Sequence, residues 1–152
     1  MKLYLGIDPG FSGAWGLINH RGEYQSCGDM MNNGVHILSR SVHGEITQAI
    51  DRQDLEGVIE SVHSMPGQGV SSSFKFGMAF GMAIAIMERL HCPWMLVTPH
   101  KWKKDMGLTS DKNESLDMAR ELWPRAPLER KKDNGRAEAL LMAEWLRRQD
   151  TK

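Results

Sequence analysis

Two short apolar runs, each ending on an acid, set the terms for any fold of this chain. LYLGID (residues 3–8) and EGVIE (56–60) carry strand-type residues in stretches too short for helices, and they read as buried strands. Asp8 and Glu60 therefore arrive at strand ends inside the protein. A buried carboxylate is costly unless it is paired, hydrogen-bonded or bound to a metal. In open α/β sheets, strand ends are also where sites are built.

The rest of the chain supplies a sheet around these strands. After the turn PGFSG, AWGLIN (14–19) and EYQSCGD (23–29) extend the first strand into an antiparallel meander, and PWMLVTP (93–99) adds another strand. Residues 34–52 have apolar positions at helical spacing: Val35, Leu38, Val42, Ile46 and Ile50. A second helix is expected over 74–90, capped by the serines before it, and a third over 109–124, with Ser110 as cap. HKWKKDMG reads as a short helix or a loop, and 133–148 as the final helix. The order β-β-β-α-β-α-β-α-α predicts an α/β domain with a mixed sheet over residues 1–152.

With 19 basic and 19 acidic residues, net charge argues for no polyanionic partner, so any such binding must come from local clusters. Cys27 and Cys92 form no CxxC pair and suit a reducing compartment. The N-terminus reaches Asp8 before a signal-peptide core develops, and the apolar stretch 77–87 falls short of the roughly 20 residues a bilayer needs. The expectation is a soluble, cytoplasmic protein with no membrane partner.

The final helix, DNGRAEALLMAEWLRR (133–148), carries acid where it enters the protein, at Asp133 and Glu138. Helix capping accounts for one such acid, and a metal site for both. With Asp8 and Glu60 they make four carboxylates, the hard oxygen donors that magnesium prefers. Asn134 lies on the face of Glu138 at i−4, whereas Asp133 at i−5 points inward only if it precedes the first helical turn. Asp133 is the expected fourth ligand, with Asn134 a neutral neighbour able to orient water. Basic residues cluster as Lys101, Lys103 and Lys104, and as Arg125, Arg130, Lys131, Lys132 and Arg136. Alone these read as solvated faces; beside an acidic cluster they read as phosphate contacts. Trp102 reads as a core anchor or a base-stacking platform.

The ordered segments GIDPGFSGAWGLI, VIESV, SSSFKFGMAFGMAIAI, VTPHKWKKDMGL, SDKNESLDMARELWP and DNGRAEALLMAEW together resemble the RuvC-like Holliday junction resolvases, in particular their short phage-type members. The resemblance implies an RNase H-like mixed five-stranded sheet flanked by helices. It also implies a homodimeric endonuclease of DNA recombination and repair, which nicks four-way junctions symmetrically with Mg2+, Mn2+ able to substitute. Asp8, Glu60 and Glu138 match the family's acids, whereas Gly135 stands where the better-known members place another ligand. By the same resemblance, the loop after Glu60 approaches the junction centre, where His63 or Met65 would wedge between bases. If phage-encoded, such a protein would act in the host cytoplasm.

Rival readings are fewer. DPGFSGAWG also resembles the phosphate hairpin of actin-like ATPases, but 152 residues leave no room for their second lobe, so no nucleotide cofactor is expected. A nuclease of RNA–DNA hybrids and a non-catalytic junction-binding protein remain as alternatives. The apolar, small-residue helix with Gly77, Gly81, Ala83 and Ala85 is the candidate dimer interface.

Overall fold

The computed structural model describes all residues 1–152. Its strands are β1 (Lys2–Asp8), β2 (Ala14–Asn19), β3 (Tyr24–Asp29), β4 (Asp54–Glu60) and β5 (Trp94–Val97). Its helices are α1 (Ser39–Ile50), α2 (Val70–Arg89), α3 (Pro99–Asp105), α4 (Lys112–Leu122) and α5 (Asn134–Asp150), the last entered through a 3-10 turn at Lys131–Asp133. The sheet runs β3-β2-β1-β4-β5. β1, β2 and β3 pair antiparallel, while β1–β4 and β4–β5 are parallel. This is the mixed five-stranded sheet expected from the sequence.

Period-two alternation divides the strands between two cores. Leu3, Leu5, Ile7, Leu17 and Ile59 face α1 and α2, whereas Tyr4, Ile18, Val58 and Val97 face α3, α4 and α5. α5 lies directly on the sheet because Gly6 and Gly16 are paired across β1 and β2 beneath it. A Cβ on Gly6 would overlap the Ala139 carbonyl oxygen, and one on Gly16 would stand 2.7 Å from the Leu140 amide nitrogen. Gly135 has the same role at the helix entrance, where a Cβ would come within 2.8 Å of the Ser12 carbonyl oxygen. Three glycines thus set the height of α5 above the strand ends.

Several boundaries differ from the sequence reading. α1 begins at Ser39, not at residue 34: the Asn32 and Asn33 side chains accept backbone N–H groups of residues 34–36, and Gly34 takes φ +84°. This turn leaves Val35 exposed. α2 begins at Val70, so Ser71, Ser72 and Ser73 form its first turn and do not cap it. Asp111, not Ser110, caps α4 by accepting the Asn113 N–H. HKWKKDMG is helical through Asp105, started by the Thr98 hydroxyl and Pro99.

At 20 residues, α2 is long and apolar enough to cross a membrane, a length the 77–87 stretch had not suggested. Here it lies beside the sheet with Ala79, Ala83, Ile86 and Met87 buried, while Val70 and Phe74 on other faces are exposed. Both cysteines are free.

Candidate active site

Asp8 and Glu60 terminate adjacent parallel strands. The last paired residues before them are Ile7 and Ile59, so the two acids follow side by side. Alternation turns both toward α5, which delivers Glu138 to the same place. The three carboxylates line one cavity with Lys103 and Lys112.

Each acid has a different environment. Trp102, fully buried, donates its indole N–H to Glu60 Oε2 at 2.7 Å. Ser115 of α4 donates its hydroxyl to Glu138 Oε1 at 3.3 Å, and Lys103 Nζ lies 2.7 Å from the same oxygen. Burial pushes the Asp8 carboxyl well above its usual range, and the charges of Glu60 and Glu138 add to the push; Lys112 and Lys103 oppose it. Burial also raises Glu60, against the Trp102 hydrogen bond. The site is thus a set of crowded acids, with one ammonium group paired to Glu138 and a second lining the cavity.

The donor set suits a hard divalent cation: three carboxylates on three rigid elements, two of them raised by burial and mutual repulsion. In this conformation, no three acidic or histidine side chains converge closely enough to hold an ion. The Lys103 ammonium takes the place of a cation at Glu138. Asp8, Glu60 and Glu138 are the residues that could hold a divalent cation, given release of Glu138 by Lys103.

Asp133, the expected fourth ligand, does not line this cavity in this conformation. It does precede the first turn of α5, but its carboxylate turns back to accept the Arg130 backbone N–H at 2.8 Å and the Arg130 guanidinium at 2.7 Å. Burial would raise its pKa, yet these bonds outweigh burial and hold it below the usual range. Asp133 makes no side-chain capping bond to α5; its carboxylate instead closes the 3-10 turn before the helix, with Arg130 as partner. Asn134 does not line the carboxylate cavity either.

The basic residues also sort into different roles. Arg136 forms a two-pronged pair with Asp29 and donates to the Pro127 carbonyl. Arg130 is half-exposed but bound to Asp133, and Lys101 pairs with Asp105. Lys103 is in the acid cluster itself. Lys104, Lys131 and Lys132 are exposed, as are His63 and Met65 in the 61–69 loop. Sequence reasoning missed Lys112, Ser115 and the Glu60-holding function of Trp102. Lys112 had a signal: it occupies the first position of α4, where the helix dipole disfavours a cation unless an anion is near.

Two solved structures of Thermus thermophilus RuvC superpose on nearly the whole chain. One, in complex with Holliday junction substrate, gives a TM-score of 0.70 at 17% identity over 99% of this chain and 98% of that one. The chain has the fold of RuvC. The other, RuvC itself, gives 0.62 at 17% identity, covering 98% of this chain and 97% of that one. In sequence, 95 residues are 32% identical to the chloroplastic Holliday junction resolvase MOC1 of Chlamydomonas reinhardtii. That match takes in 60% of this chain but only 11% of the relative, so the chain spans about a tenth of that protein's length. No protein-family model matches. The resemblance read from the ordered motifs is met in both sequence and fold.

Proposed function

We propose that this protein is a metal-dependent endonuclease that nicks four-way and other branched DNA junctions, working as a two-fold dimer. The observation that carries the reading is the meeting of Asp8, Glu60 and Glu138 in one cavity of a RuvC fold, beside Lys103 and Lys112. Mg2+, or Mn2+ in its place, would activate water and stabilise the leaving oxygen in phosphodiester cleavage.

The protein's own part is positioning and charge. Trp102 fixes the Glu60 carboxylate, and Ser115 fixes that of Glu138. Lys103 and Lys112 lie where the phosphate would approach, so an incoming phosphodiester competes with Glu138 for the Lys103 ammonium. Transfer of Lys103 to phosphate frees Glu138 at the moment substrate arrives. The exposed Lys104, Lys131 and Lys132 supply further backbone contacts. His63 and Met65, exposed in the loop after Glu60, would enter the junction opening.

The dimer rests on α2. Val70 and Phe74 leave an apolar face uncovered, and around Gly77 and Gly81 on the same face there is open space for a second helix. Two copies related by a two-fold axis would present two such sites for symmetric cuts.

The test is to incubate the purified protein with labelled four-way junction, plain duplex and RNA–DNA hybrid, in magnesium or manganese, beside Asp8→Asn, Glu60→Gln and Glu138→Gln. Paired symmetric nicks in the junction alone, lost in all three variants, are expected. Cleavage of the hybrid instead would overturn the substrate assignment, and junction binding without cutting would overturn the activity.

A further inference from the structure

The carboxylate cavity continues past the acids. Its volume is about 620 Å³, and it is lined also by Phe11, Ser12, Lys75 and Phe76. Spaces of several hundred Å³ accommodate whole small molecules, more than a cation and one phosphate fill. Phe11 belongs to the β1–β2 turn, three residues beyond Asp8, and is half-buried against the core on the α2 side. Over its ring, 4.5 Å from the centroid, lies the Lys75 ammonium from α2. Lys75 has no acidic partner. An aromatic face and an unpaired cation therefore line the same cavity as the Lys103–Glu138 pair.

We infer that Phe11 and Lys75 form a subsite for the nucleotide flanking the scissile phosphate. Its base leaves the stack to lie on the Phe11 ring, and the displaced Lys75 ammonium takes that nucleotide's phosphate. Base–aromatic stacking is a stronger contact than an exposed cation over a ring, so the exchange favours the bound state. Enzymes that work on strained or branched DNA gain from a nucleotide already free of its neighbours, because unstacking is least costly there. This inference rests on the nuclease reading above.

The probe is a four-way junction with 2-aminopurine in turn on each side of the cut position, bound to the full protein in calcium and followed by fluorescence. Nicking is measured separately in magnesium. Wild type and Phe11→Tyr should brighten the probe several-fold at one of the two positions. Phe11→Ala and Phe11→Leu should not, and their cutting should slow by about an order of magnitude. An unchanged melting temperature for Phe11→Leu separates the subsite from a merely structural clasp between the turn and α2. Lys75→Ala should lower the slope of log binding against log salt by about one. Brightening by Phe11→Leu equal to wild type would overturn the inference. So would nicking by wild type with no brightening at either position, a result that leaves the nuclease reading standing. Absence of nicking by wild type would remove both.

Discussion

Replacing Gly16 by alanine tests how α5 is held over the sheet, and competing effects make its sign informative. Alanine loses less backbone entropy than glycine on folding, which alone favours Gly16→Ala by roughly 0.5–1 kcal/mol. Gly16 has no positive φ to forbid the change. Against this, the new Cβ would stand 2.7 Å from the Leu140 amide nitrogen, and 2.8 and 2.9 Å from Leu140 Cγ and Cδ2. A new rotamer could move the side-chain atoms but not the amide. Normal contact needs about 3.5 Å, so α5 must rise by somewhat under 1 Å, and overpacking of this kind costs about 1–3 kcal/mol. The contact is with backbone, which puts the cost at the upper end, for a net loss of about 2 kcal/mol. In urea that lowers the midpoint by about 1 M with the slope unchanged. The same rise lifts Glu138, two residues from Leu140, away from Asp8 and Glu60. Because misplacing a reacting group by 1 Å costs about a hundredfold in rate, nicking should slow by at least about tenfold in the folded variant. A midpoint equal to or above wild type, with full activity, would refute the argument that paired glycines set the height of α5. Gly6→Ala, whose Cβ would overlap the Ala139 carbonyl oxygen, should be worse on both measures.

Other consequences follow from the site's charges. In chelator, Asp8 and Glu60, whose folded pKa values are raised, bind protons more tightly folded than unfolded, so they favour folding less as pH rises above about 4. Asp8→Asn removes the larger part of this penalty. It should be more stable than wild type in chelator at pH 8, with the gap closing toward pH 4, as read from denaturation midpoints. Trp102→Phe deletes the N–H that Glu60 accepts and should cost about 1–3 kcal/mol. It should also push Glu60 further up, moving the acid limb of the nicking profile to higher pH. Asp133→Asn weakens the Arg130 pair and should lower the melting temperature, yet leave magnesium affinity within about twofold, far from the roughly 10–100-fold that loss of a coupled metal-site group brings. Lys104→Ala and Lys132→Ala should each lower the salt slope of junction binding by about one, whereas Arg136→Ala should chiefly lower stability.

How much of this was legible in the sequence depended on the range of the interactions. β1 and β4 were readable because their apolar runs are continuous and buried on both faces, and their terminal acids followed directly. Asp8, Glu60 and Glu138 could be brought together from order and resemblance alone. Asp133 could not be placed, because its fate depends on whether a carboxylate turns inward or back along the chain. Its partner Arg130 lies only three residues upstream, so a capping pair was the local clue. The serines before Phe74 resembled caps because the first turn of α2 is exposed and polar, a pattern that binary reading assigns to a loop. Arg136 was grouped with its basic neighbours, since nothing in the sequence reveals that Asp29, 107 residues away, claims it. Trp102 was readable as core; that its N–H would need a buried acceptor follows from any buried indole, but the choice of Glu60 is purely tertiary.

The proposed metal site consists of Asp8, Glu60 and Glu138, without Asp133. Anomalous diffraction from crystals soaked in Mn2+ measures this directly. The expected result is manganese density between the three carboxylates, with Lys103 withdrawn from Glu138 and the Arg130–Asp133 pair intact. Manganese bound through Asp133, or a Lys103–Glu138 pair that persists at saturating manganese with no density between the acids, would contradict it.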